Sequence, residues 1–155
     1  MNKSDFISQV CAVRQEFNTL LDSLTADQML QPGVCGEWSV KDVVAHIAWY
    51  EREMISVIEV HALTGSDLWD LPPEQRNDAV YAVNKDRLLR DVLAEAKLVF
   101  ADLVRLLPTI SEADLNDATS FPGMPSDWQP WQVIASNTYE HYTDHLAEIH
   151  KAFGK

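Results

Sequence analysis

Apolar residues that recur every three and four positions commit this chain to helices. Phe6, Val10, Val13, Phe17, Leu20, Leu21 and Leu24 trace one stripe from Ser4 onward, the spacing of a single face of a helix with 3.6 residues per turn. Thr25-Ala26-Asp27-Gln28 then matches a capping box for a short turn, and Pro32-Gly33 with Gly36 break the chain into a loop. Ser39, with Asp42 three residues on, opens a second long helix expected to run to about residue 62. Gly65, Pro72 and Pro73 mark the next break. Residues 74–107 read as one long helix or as two joined near Arg87, with Leu89, Val92, Leu93, Ala96, Val99, Phe100, Leu103 and Leu107 on the stripe and Pro108 stopping it. The segment 117–130 has no usable period, and Pro130 suits the first turn of a final helix continuing to about Phe153. No strand is apparent. The expected architecture is all-α, one domain over residues 1–155, a four-helix bundle whose loops after the first and third long helices are long enough to cross over. A weak internal repeat agrees with two similar halves: Thr25-x-x-Gln28 and Trp38-Ser39 are echoed by Ser111-x-x-Asp114 and Trp128-Gln129.

Composition narrows the classes of function. Hydrophobic residues make up 46% of the 155 and charged residues 23%, values of an ordinary globular domain. Twelve Lys and Arg against 24 Asp and Glu give a net charge of −12, which repels phosphate backbones and anionic lipid, so no nucleic-acid partner is expected. No apolar run approaches the roughly 18 residues of a membrane span, and the N-terminus carries no apolar signal region; a cytoplasmic protein without a membrane partner is expected. Cys11 and Cys35 have no zinc-type spacing and need not be bridged.

The chemistry is concentrated in His141-Tyr142-Thr143-Asp144-His145 on the final helix. Histidines at i and i+4 share a helix face with Cβ atoms about 5–6 Å apart, close enough for both rings to ligate one transition metal. At 100° per residue they fall in the apolar arc of Ile134, Ala135, Tyr142, Leu146, Ile149, Ala152 and Phe153, whereas His150 falls on the opposite, solvated arc. Inward-facing imidazoles need hydrogen bonds or a shared metal to offset their desolvation, and spacing alone leaves both readings open. On the second long helix His46 flanks the apolar arc and His61 lies on it near the frayed end. Glu51 stands at the centre of that arc between Ile47, Met54, Ile55 and Ile58. A buried acid needs a partner, so Glu51 is a metal ligand, a proton acceptor for metal-bound water, or one half of an ion pair with an Arg of another helix. His-Tyr-Thr-Asp-His lacks the Glu of the zinc-protease motif, which sets proteolysis aside. Trp38, Trp49, Trp69, Trp128 and Trp131 are read chiefly as packing, and the loop around Phe121, Met124 and Trp128 as a surface connection, with a lid or a dimer contact as the alternative.

Gly36-Glu37-Trp38-Ser39-Val40-Lys41-Asp42-Val43-Val44-Ala45-His46-Ile47-Ala48-Trp49-Tyr50-Glu51, taken with Trp131 and Asn137-Thr138-Tyr139-Glu140-His141-Tyr142-Thr143-Asp144-His145, resembles the DinB/YfiT-like superfamily. The surroundings of Asn77, Tyr81, Asn84 and Asp86-Arg87 are similar to its ClbS/DfsB branch. The resemblance spans nearly the whole chain. It implies a four-helix bundle, commonly dimeric, in which His46 joins His141 and His145 in holding a divalent metal such as nickel or zinc. It further implies a metal-dependent transferase using a low-molecular-weight thiol, or a hydrolase, acting on a small electrophile; the position of Glu51 on its helix makes it the candidate catalytic base or orienter beside that site. The ClbS branch implies an alternative, a metal-independent hydrolase or binding protein that confers resistance to a reactive small molecule through Glu51, Tyr81 or Asn84. Three imidazoles would leave a coordination position open, the arrangement of catalytic zinc sites.

Overall fold

The computed structural model describes residues 1–154. Four long helices, α1 (Lys3–Asp22), α3 (Val40–Val60), α5 (Leu89–Leu106) and α8 (Tyr139–Phe153), form an all-α bundle, with α3 against α5 and α1 against α8. Shorter helices fill the connections: α2 (Ala26–Leu30), α4 (Pro73–Asn84), α6 (Glu112–Leu115) and α7 (Pro130–Ser136). The α1 stripe is buried from Phe6 and Val10 through Phe17, Leu20 and Leu21 to Leu24. Each such side chain contributes about 1.5–3 kcal/mol of apolar transfer, which makes this face rather than helix propensity the source of the helix's stability.

Caps set where the helices begin. Asn2 accepts from the Asp5 amide at 3.1 Å, and Thr25 with Gln28 closes a capping box at α2. Ser39 and Asp42 close another at α3: the Asp42 amide donates to Ser39 Oγ and the Ser39 amide to Asp42 Oδ2 at 3.0 Å. Ser111 and Asp114 repeat the device at α6, but Gln129 makes no side-chain cap at α7, so the echo between the halves is confined to the short helices.

Two breaks refine the expected helices. Residues 74–107 are two helices, separated at 85–88, where the buried Lys41 of α3 extends its ammonium to the carbonyls of Lys85 and Arg87. The segment from Pro130 to Phe153, expected as one helix, is also two. Ser136, Asn137 and Thr138 turn their side chains back onto the carbonyls of Val133 and Ile134, competing with the backbone ladder at the point where the chain leaves helical geometry. The buried Thr138 carbonyl then accepts from the Tyr142 amide at 2.8 Å to start α8. The loop before α7 is largely packed: Phe121 is buried and Met124 lies against the core, while Trp128 is 46% exposed.

Candidate metal centre

Helices α3 and α8 bring three imidazoles to one point. His46 Nε2 lies 2.9 Å from His141 Nε2, which lies 3.1 Å from His145 Nε2. His46 and His145 are buried and His141 is partly so. Zinc–nitrogen bonds of about 2.0–2.1 Å, at angles from a right angle to the tetrahedral value, separate ligand nitrogens by about 2.9–3.4 Å, and the observed spacings match that range. Hydrogen bonding alone does not account for the cluster. His141 Nε2 faces two other nitrogens and carries either one proton or one lone pair, so it cannot satisfy both neighbours in the same sense. The Nδ1 atoms of His46 and His141 are buried without a hydrogen-bond partner among the described residues. Three lone pairs converging on a cation satisfy the Nε2 set, and the donor chemistry fits a divalent transition metal.

Electrostatics favour the ligand form of the rings. Burial, reinforced by His141 and His145, pushes His46 down to about 2, and burial with His145 pushes His141 down to about 3, so both stay neutral at physiological pH. His145 Nδ1 lies 2.7 Å from Glu148 Oε2, which fixes Nδ1 as the protonated nitrogen and turns the Nε2 lone pair toward the other rings. An aromatic wall surrounds them. Trp38 meets His46 edge-on at 5.1 Å and stacks on Tyr81 at 5.7 Å; Tyr50 lies 4.8 Å from His46 and 5.0 Å from His141. Asn77 of α4 accepts a 3.0 Å hydrogen bond from the Tyr50 hydroxyl.

The family model of the DinB superfamily, which matches residues 9–149, decides the ancestry. The chain belongs to the DinB superfamily. Among solved structures, a structural-genomics protein from Streptococcus pneumoniae superposes with a TM-score of 0.82 at 12% identity, covering 97% of this chain and 90% of that one. DfsB, described as a sibling lethal factor precursor, gives 0.82 at 13% identity with 97% and 94% covered. The colibactin self-resistance protein ClbS, crystallised with double-stranded DNA, gives 0.79 at 17% identity with 96% and 93% covered. These likenesses are of fold. No curated protein matches the sequence. Among the described residues no helix is long and apolar enough to cross a membrane.

Within this DinB-superfamily bundle the structure joins His46, and not His61, to the His141–His145 pair. His61 caps α3 in the left-handed conformation, stacked on Phe121 at 4.3 Å and 3.9 Å from Asp114. Glu51 is fully buried and pairs with Arg14 of α1, while the Tyr142 hydroxyl donates to its Oε1 at 2.5 Å. Burial pushes its carboxyl up to about 7, against the pull of Arg14 and Tyr142. Tyr81 is engaged with Trp38, and Asn84 is turned back onto the Val80 carbonyl and Arg87. Sequence reasoning gives no place at the site to Arg14, Glu148 or Cys35. Arg14 carried a signal, a cation on the α1 apolar stripe between Val10 and Phe17, and Glu148 another, an acid three residues beyond His145 on the same helix. The Cys35 thiol, 3.3 Å from Glu148 Oε1, carried none.

Proposed function

We propose that this protein is a divalent-metal-dependent enzyme acting on a small electrophilic molecule, with His46, His141 and His145 as the metal ligands and a hydrolytic or thiol-transfer reaction. The observation that carries the proposal is the convergence of three Nε2 atoms at 2.9 and 3.1 Å spacings, with no arrangement of protons that satisfies all three. A nickel or zinc ion bound there supplies a Lewis acid that lowers the pKa of water, or of a low-molecular-weight thiol, toward neutrality. The chain's own contribution is to hold His46 and His141 neutral, to fix the His145 tautomer through Glu148, and to wall the cluster with Tyr50 and with Trp38 backed by Tyr81. Glu51 serves as a positioning residue: through Arg14 and Tyr142 it sets the roll of α8 against α3, and with it the placement of His141. A cytoplasmic homodimer belongs to the same proposal. Net charge −12 argues against a nucleic-acid partner, although ClbS was crystallised with double-stranded DNA.

The fold likeness to ClbS and DfsB supports a second reading, a metal-independent hydrolase or binding protein that neutralises a reactive small molecule against the same aromatic wall. Native mass spectrometry of metal-replete wild type and His141→Ala separates the two. A stoichiometric divalent ion in the wild type and its loss in a folded His141→Ala support the metal enzyme; a folded wild type that retains no ion refutes it.

A further inference from the structure

One short turn touches both sides of the histidine cluster. Between α2 and α3, Gly33 and Gly36 take positive φ values of 92° and 57°, a conformation open to glycine, and the chain doubles back so that Cys35 and Trp38 pair as an isolated bridge. The Trp38 amide donates to the Cys35 carbonyl at 3.0 Å and the Val34 amide to the Trp38 carbonyl at 2.9 Å. One end of this turn presents the Trp38 ring to His46; the other presents the Cys35 thiol to Glu148 Oε1 at 3.3 Å. The opposite oxygen of that carboxylate, Oε2, accepts from His145 Nδ1. Cys35, His145 and Glu148 thus lie within one cluster whose ligand atoms are all within 4.8 Å of each other, sharing His145 with the triad.

We propose that Cys35 is a positioning residue: its S–H donates to Glu148 Oε1 and selects the one carboxylate orientation in which Oε2 holds the proton on His145 Nδ1, so that the Nε2 lone pair faces the triad. The Glu148 side chain is 41% exposed, and an exposed glutamate samples several rotamers of similar energy. Spacing of i,i+3 brings it near His145 without choosing among them. A donor from a different segment, fixed by the Cys35–Trp38 bridge, removes that freedom. The thiol acts through the carboxylate and the carboxylate through the ring, the outer support that orients a metal-binding histidine. The purpose of this relay rests on the metal-site reading above, but its existence is measurable in the metal-free protein.

Two measurements test it on full-length wild type, Cys35→Ala, Cys35→Ser and Glu148→Ala. Long-range 1H–15N spectra of the metal-free proteins report the His145 tautomer, and competition with a chromophoric chelator gives the zinc affinity. The expected result is a single Nδ1–H tautomer in the wild type, a tautomer mixture in Cys35→Ala and Glu148→Ala, and recovery in Cys35→Ser, whose hydroxyl replaces the donor. Zinc affinity should fall about 10–100-fold in Glu148→Ala and on the order of fivefold in Cys35→Ala, since a thiol is a weak donor. An unchanged His145 tautomer in Cys35→Ala overturns the relay. So does a thiolate-to-metal charge-transfer band in the cobalt-loaded wild type that Cys35→Ser abolishes, because the sulfur is then a ligand. A wild type that binds no zinc yet keeps a locked tautomer overturns the metal-enzyme proposal and leaves the relay standing.

Discussion

Acid should destabilise the metal-free protein through its histidines, and Glu51 should conceal about half of the effect. His46 and His141 have an ordinary pKa of 6.5 and are held down to about 2 and about 3 in the fold. Their contribution is fully present above pH 6.5 and is lost as the pH falls toward the folded values, because the unfolded chain takes up two protons that the folded chain refuses. At about 1.4 kcal/mol per pH unit per group, the two together remove roughly 4–5 kcal/mol between about pH 6.5 and 4.5. Glu51 runs the other way. Its carboxyl is raised from 4.5 to about 7, so its contribution is fully present below pH 4.5 and is lost as the pH rises through about 7. Over the same window it restores about 2 kcal/mol, leaving a net loss of roughly 2–3 kcal/mol in the wild type. Glu51→Gln removes the opposing titration without removing the side chain's volume. Urea unfolding followed by circular dichroism, in the presence of a chelator, should therefore show the variant losing roughly twice as much stability as the wild type, and Glu51→Gln with His141→Asn losing about half as much as Glu51→Gln alone. A Glu51→Gln stability that is flat from about pH 6.5 to 4.5 would refute the premise that His46 and His141 exclude protons in the fold.

Two further predictions concern the scaffold. Arg14→Met leaves Glu51 buried with Tyr142 as its remaining hydrogen-bond partner and should cost about 3–5 kcal/mol, lowering the thermal midpoint by about 6–20 °C; Arg14→Met combined with Glu51→Leu should recover most of that, and calorimetry showing the single variant as stable as wild type would contradict the assignment of a coupled pair. Ser39→Ala opens the capping box of α3 and should cost about 1 kcal/mol, a fall of about 2–4 °C in the thermal midpoint.

The bundle was legible because its determinants are local. The α1 stripe, the capping boxes at Thr25, Ser39 and Ser111, and Pro130 at a helix start each act within a few residues, and all appear in the structure. The four-residue spacing of His141 and His145 is likewise a property of one helix. What could not be read depends on approach between distant segments. His46 meets His141 across 95 residues and Cys35 meets Glu148 across 113, distances over which periodicity carries no information; only the family resemblance sets His46 above His61. Arg14 is ambiguous from sequence, because an isolated cation on an apolar stripe fits a snorkelling surface residue as well as a buried ion pair until its partner on α3 is seen. The helix end at Ser136 is hidden for another reason: Ser, Asn and Thr are tolerated inside helices, and their turn back onto Val133 and Ile134 is a choice between two satisfied states.

That interruption at Asn137 and Thr138 has an evolutionary consequence. A continuous rod from Pro130 to Phe153 would swing the His141 and His145 rings by about 100° for each residue gained or lost between Pro130 and His141. With the rotational phase of α8 reset at the buried Thr138, where the Tyr142 amide meets its carbonyl, length changes within α7 die out before reaching His141. The stretch that leads into α8 is therefore free to change in length while the imidazoles keep their bearing.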